Sequence, residues 1–180
     1  MFESNQYKVK QKALSIGNKY LVYENGEQIL DSAQKKLRLK EDFRFKDMDG
    51  EPVLKVTTDK MLDIAASYTV EDERTGEPIG GIKEELSFFQ HKWKVLDTEG
   101  KVIADIIEDN IALALVRRFV TTLVPFSYRI GTENGQLGSI NGKLSLRDTY
   151  EITLSEDIDD VLDPRMIIAA TVLIDAIESN

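Results

Sequence analysis

The sequence predicts a mainly β fold, a closed antiparallel barrel of about twelve strands around a buried hydrophobic C-terminal helix. Two observations predict it. A hairpin motif recurs through most of the 180-residue chain, and the last segment of the chain is apolar on almost every side. A chain of this length with 42% hydrophobic residues can bury one full core, so we expect a single domain spanning residues 1–180.

The hairpin motif starts with an aromatic residue, continues with alternating polar and apolar residues, and ends in an acidic or amide turn with glycine. Such turns between alternating segments are typical of β-hairpins. The unit is about 25 residues long. Its copies start at Tyr20, Phe43, Tyr68, Trp93 and Tyr128, and Tyr150 starts a sixth. This number of strands favours a closed barrel, because closure removes the sheet edges that promote aggregation.

The spacing of the repeat is broken between Trp93 and Tyr128, where about ten extra residues are present. In residues 110–123 the apolar positions fall at helical intervals, whereas Arg117 and Arg118 lie off that stripe. This pattern predicts a short inserted helix near 110–123. A long loop is the alternative.

The C-terminal segment predicts the central helix. Asp163 and Pro164 form a helix-start signal, because the carboxylate can cap free N–H groups and proline at the first helical position loses no hydrogen bond. The residues that follow are apolar except for a narrow stripe of Thr171, Asp175 and Glu178. As a helix the apolar run is roughly 21 Å long, against roughly 30 Å for a bilayer core. Burial inside the barrel is therefore favoured over a membrane span.

Composition argues against several functional classes. The net charge of -9 disfavours indiscriminate nucleic-acid binding, which depends on neutralising phosphates. The absence of cysteine excludes disulfides, thiolate metal sites and thiol catalysis. Residues 1–12 lack the apolar core of a signal peptide, so we expect a cytoplasmic protein that is able to attach peripherally to a membrane.

The candidate catalytic and ligand motifs are weak. His91 is the single histidine, no nucleophile motif lies near it, and a two-histidine metal site is excluded by count. A segment from Asp47 resembles the start of a calcium loop, but Val56 stands where that loop needs glutamate. Gly80 and Gly81 lie inside a predicted hairpin, where they indicate a bulge or close packing over an aromatic residue. We therefore expect a protein that is not an enzyme and needs no cofactor.

A better candidate for cation binding is the acidic segment before the C-terminal helix. Several carboxylates in one loop suit a hard cation such as calcium. The competing interpretation is that the dipole of the following helix favours acidic residues there without any metal. The residues are Glu156, Asp157, Asp159 and Asp160, with Asp163 close behind.

Charge distribution favours a binding function, because basic residues prevail in the first third of the chain and acidic residues in the remainder. Lys8, Lys10 and Lys12 alternate along one predicted strand and so project from one face. Such a face could bind anionic phospholipid headgroups. The alternative is a solvated strand face with lysines that protect an edge. Further basic residues follow at Lys35, Lys36, Arg38 and Lys40.

Several segments along the whole chain are similar to one known family. They are the stretch from Tyr7 to Tyr20, the Tyr68 and Trp93 hairpins, Lys83 before Leu86-Ser-Phe-Phe, Arg147 to Ile152, and the acidic stretch with its aliphatic helix. The chain thereby resembles the LURP-one-related proteins, which belong with the tubby C-terminal and phospholipid scramblase domains. The resemblance implies a twelve-stranded barrel threaded by its C-terminal helix.

The wider relatives suggest where function lies. Tubby-like relatives bind phosphoinositide headgroups through a basic surface, and scramblase-like relatives associate with membranes and calcium. We therefore expect a non-enzymatic binding or adaptor domain whose partner is an anionic phospholipid surface. The alternatives are a small hydrolase or transferase with a non-standard site at the barrel rim, and a scramblase-like or nucleic-acid-associated protein. Segment 110–123 departs from the compact members of the family.

Overall fold

Hairpins that follow one another in the sequence are neighbours in a closed barrel. The computed structural model describes residues 1–12, 19–34, 42–58, 67–85, 91–109, 126–143 and 149–178. The strands in these ranges are β1 (Gln6–Gln11), β2 (Lys19–Glu24), β3 (Glu27–Gln34), β4 (Asp42–Lys46), β5 (Pro52–Thr58), β6 (Ser67–Asp72), β7 (Pro78–Glu85), β8 (Lys92–Leu96), β9 (Val102–Glu108), β10 (Ser127–Thr132), β11 (Gly135–Lys143) and β12 (Thr149–Leu154). A short 3-10 helix (Ile158–Asp160) leads into helix α1 (Pro164–Glu178).

Every strand is antiparallel to its neighbours in chain order, and β1 closes the barrel by pairing with β12. The predicted mainly β fold, a closed antiparallel barrel of twelve strands with a C-terminal helix, is confirmed within the described ranges. The predicted inserted helix near 110–123 lies outside the described residues.

The glycine turns of the repeat join β2 to β3, β4 to β5, β6 to β7, β8 to β9 and β10 to β11, and each hairpin shifts register just before its turn. After β4, Asp47 Oδ1 accepts two backbone N–H groups of the turn, and Gly50 adopts a left-handed φ of 86°. After β8, Asp97 and Gly100 repeat this geometry. In the turn after β4, the backbone hydrogen bonds to the Asp47 carboxylate lower the pKa of Asp47, and the one from the Glu51 N–H has the largest effect.

The aromatic residues that start each repeat form a ring inside the barrel. Each is the second residue of an even-numbered strand, so all lie at the barrel end opposite the glycine turns. Their side chains are buried, and the rings of Tyr20 and Phe43 meet edge to face with centroids 5.9 Å apart. The members of this ring are Tyr20, Phe43, Tyr68, Trp93, Tyr128 and Tyr150.

Helix α1 fills the lumen, as its apolar surface predicts. Its residues from Met166 to Ala176 are buried on all sides, and they join the inward side chains of the strands in one core cluster. A helix that is hydrophobic all round is stable in water only when it is surrounded in this way. The wall of hairpins therefore supplies the surface that α1 needs.

Polar contacts fix both ends of α1. At its start, Arg165 Nη2 donates to Asp163 Oδ2 and Arg165 Nη1 donates to Asp72 Oδ2 on β6, each at 2.6 Å. The hydrogen bonds to Asp163 raise the pKa of Arg165. Near its end, the buried carboxylate of Asp175 accepts hydrogen bonds from the hydroxyls of Tyr20 and Tyr150, both at 2.6 Å. Two members of the aromatic ring thus hold the helix in register.

The barrel wall packs tightly against α1 at Gly80. A Cβ at this position would lie 2.9 Å from Met166 Cε and would collide with the carbonyl oxygen of Leu96. The close neighbour is thus a methionine of α1 and not the aromatic residue that the sequence suggested. Adjacent to Gly80, the pairing of β6 with β7 shifts register, as the glycine pair indicated.

We expect Gly80→Ala to lower the free energy of unfolding by about 1–3 kcal/mol, because the methyl group overpacks this contact. Urea unfolding followed by the fluorescence of Trp93, the single tryptophan, measures the change. Gly81→Ala is the matched control, since its Cβ would meet Leu96 Cδ1 at 3.4 Å, an ordinary contact. Equal losses in the two variants would contradict the prediction.

Candidate functional site

The candidate lysines of β1 lie on the outer wall of the barrel. Tyr7 and Val9 are buried in the core, so the alternating residues Lys8 and Lys10 face outward. Their neighbours on the wall come from β12 on one side and β2 on the other. Lys8 and Lys10 therefore project from the same outer face, as the alternation in the sequence predicts.

The basic surface continues beyond β1. Lys12 follows the last residue of β1, is exposed, and donates its backbone N–H to the carbonyl oxygen of Lys19 at 2.7 Å. Lys19 begins β2, and it faces outward because the next residue, Tyr20, is buried. Two strand ends thus add basic side chains to those of Lys8 and Lys10.

A carboxylate lies within this basic surface. Glu151 of β12 is paired in register with Lys8, and its Oε1 lies 3.9 Å from Lys8 Nζ. Its other oxygen, Oε2, lies 2.7 Å from Nζ of Lys143 at the end of β11. Glu151 therefore bridges two lysines across three adjacent strands.

Lys10 takes a different partner. Its Nζ lies 4.8 Å from the centre of the Tyr23 ring, a cation–π contact on the wall. Lys8, Lys10, Tyr23 and Glu151 line a shallow groove of about 490 Å³. The groove presents ammonium groups beside an aromatic face, which suits a ligand with an anionic group.

We call this surface the lysine face. It spans β11, β12, β1 and β2, and the other carboxylate on these strands, that of Glu24, accepts the backbone N–H groups of Glu3 and Ser4. Its members are Lys8, Lys10, Lys12, Lys19 and Lys143.

Sequence reasoning found only part of this face. Lys19 and Lys143 were missed, and so was Glu151, because pairing between the two ends of the chain brings them beside β1. No local sequence pattern predicts pairing between strands that are so far apart in the chain. The remaining basic candidates of the sequence analysis lie outside the described residues, namely Lys35, Lys36, Arg38 and Lys40.

The acidic candidates for calcium binding lie on the surface beside the start of α1. All four side chains are exposed around the short 3-10 helix, and the described residues contain no group of three or more acidic or histidine side chains that could hold a metal ion. The neighbouring Asp163 is paired with Arg165 instead. The four candidates are Glu156, Asp157, Asp159 and Asp160.

His91 lies in the barrel wall and takes part in its backbone hydrogen bonding. It precedes β8, is partly buried, and its carbonyl oxygen accepts the backbone N–H of Glu108 at 3.1 Å. This contact extends the pairing of β8 with β9. Among the helices in the described ranges, none combines the length and the apolar character needed to cross a membrane.

Comparison with known proteins agrees with the fold. The sequence profile of the LURP-one-related family matches residues 5–175. No curated protein sequence matches the chain. An X-ray structure of a protein from Arabidopsis thaliana is similar in fold, with a TM-score of 0.59 and 10% sequence identity over 96% of this chain and 91% of that one. Because the family profile spans nearly all of its length, the chain belongs to the LURP-one-related family.

Proposed function

We propose that this protein is a non-enzymatic cytoplasmic binding domain that attaches to membranes through anionic phospholipid headgroups, and that the lysine face is its contact surface. The observation that carries the proposal is a group of five lysines on and beside β11, β1 and β2, with Glu151 of the intervening strand β12 between two of them. Each basic residue near an anionic membrane contributes about 1 kcal/mol of attraction.

The shape of the barrel also supports surface recognition. Since α1 occupies the lumen, the described part of the barrel offers its outer surface and not its interior to a ligand. There the lysine face combines positive charge with the ring of Tyr23, and tyrosine is enriched at membrane–water interfaces. An adaptor that docks on a membrane without crossing it needs a surface of this kind.

The uneven distribution of charge over the barrel, whose net charge is -9, gives the attachment a preferred orientation. The glycine-turn end of the barrel carries many carboxylates, among them those of Asp47, Asp97 and Glu133. Anionic lipid repels this end, whereas it attracts the lysine face. The attraction acts over about one Debye length, so binding should weaken as salt rises.

We expect the triple variant Lys8→Gln, Lys10→Gln, Lys12→Gln to bind anionic vesicles roughly 100-fold more weakly, since three favourable charges are lost. Flotation at low salt with phosphatidylcholine vesicles, alone or mixed with phosphatidylserine, measures the change. The control triple replaces lysines elsewhere on the barrel with glutamine, and it should keep most of the binding. Its positions are Lys46, Lys83 and Lys101. Equal recovery of the unmodified protein with neutral and anionic vesicles would refute the proposal.

A further inference from the structure

Glu151 occupies the centre of the lysine face. Its two carboxylate oxygens are shared between two lysines, with Lys8 Nζ at 3.9 Å from Oε1 and Lys143 Nζ at 2.7 Å from Oε2. The three side chains are well exposed, at 40% for Lys8, 39% for Glu151 and 56% for Lys143. A ligand from solution can therefore reach both ammonium groups.

A carboxylate held between two ammonium groups stands where the oxygens of a phosphate group would be bound. Both groups are planar or tetrahedral arrays of charged oxygens that accept hydrogen bonds from lysine. A phosphate group offers more oxygens than a carboxylate does. Exposed carboxylate–lysine pairs are weak, so the side chain of Glu151 can be displaced at little cost.

We propose that Glu151 is an internal competitor that sets the affinity of the lysine face for phosphate groups. The bound group is a phosphate ester of a lipid headgroup or free phosphate, and it replaces Glu151 between Lys8 and Lys143. This inference rests on the proposed function, since it assigns the position of the headgroup phosphate within the same face. Lys10, held over Tyr23, lies in the next row of the face and contributes a further charge beside the phosphate.

The test is Glu151→Gln, which keeps the size of the side chain and removes its charge. We expect this variant to bind phosphatidylserine vesicles about fivefold more tightly than the unmodified protein, with an unchanged melting temperature. Glu71→Gln is the matched control, because Glu71 Oε2 pairs with Lys55 Nζ at 2.7 Å on the wall formed by β5 and β6. It makes the same change in net charge away from the lysine face, and it should leave vesicle binding unchanged.

Two results would overturn the inference. One is a Glu151→Gln variant that binds no more tightly than the unmodified protein, and the other is an equal gain in Glu71→Gln. Neither result contradicts the proposed function, because the lysine triple variant tests that function separately. Inorganic phosphate, compared with sodium chloride at equal ionic strength, identifies the source of the ligand. Stronger release from vesicles by phosphate assigns the site to free phosphate as well, and equal release restricts it to headgroups on a bilayer.

Discussion

A chain that ends at Asp163 is expected to be unfolded, because the barrel then loses the helix that fills it. Burying one large apolar side chain contributes roughly 1.5–3 kcal/mol, and the whole net stability of a domain is about 5–15 kcal/mol. The loss of six such side chains, about 9–18 kcal/mol, is as large as that whole margin. Those most completely buried in α1 are Met166, Ile167, Ile168, Val172, Leu173 and Ile174.

Circular dichroism and the dispersion of amide proton signals in NMR spectra measure this loss. A chain that ends at Glu178 serves as the control, since it keeps all of α1 and should fold. A chain that ends at Asp163 and still gives dispersed signals as a monomer would show that the hairpins support themselves. The role assigned to α1 would then be wrong.

The features that the sequence predicts well are those written in local patterns. The aromatic starts and glycine turns recur at a regular spacing except between Trp93 and Tyr128, and each of the five glycine turns joins a pair of antiparallel strands. The burial of α1 follows from its sequence pattern, because a helix that is apolar on almost every side is stable only when it is buried. The approximate number of strands, the closed barrel and the central helix could therefore be predicted from the sequence.

The site was predicted less completely, because it depends on which distant strands meet. Lys8 and Glu151 are far apart in the chain, and they become neighbours only through the pairing of β1 with β12. A count of charged residues in the sequence also does not show which of them form ion pairs in the fold. The acidic stretch from Glu156 was a candidate for calcium binding; its side chains are exposed around the short 3-10 helix, and the neighbouring Asp163 is paired with Arg165.

A buried polar cluster holds the C-terminal end of α1. The sequence alone does not predict this cluster, because its members are far apart in the chain. Asp175 is fully buried, and its carboxylate oxygens accept the hydroxyls of Tyr20 and Tyr150, each at 2.6 Å. Hydrogen bonds to a charged group contribute about 1.5–3 kcal/mol each. Burying a carboxylate among aliphatic side chains carries a large desolvation cost, and the hydrogen bonds from such partners offset it.

We expect Asp175→Ala to lower the free energy of unfolding by about 3–5 kcal/mol, since both tyrosine contacts are lost together with packing. Tyr20→Phe and Tyr150→Phe should each lose a smaller amount, and their effects should not add to that of Asp175→Ala, because the three residues form one network. Urea unfolding followed by Trp93 fluorescence measures all of these variants.

Thr171→Val is the matched control on the same helix. Its hydroxyl donates to the carbonyl oxygen of Ile167 at 2.8 Å, a contact within α1 that does not reach the barrel wall. The valine keeps nearly the same volume, so we expect a loss of about 1 kcal/mol. If Asp175→Ala cost no more than Thr171→Val, the tyrosine contacts would not be what holds α1 against the wall. A loss several times larger places the anchor of the helix at Asp175, at the end of the barrel where the aromatic ring closes around it.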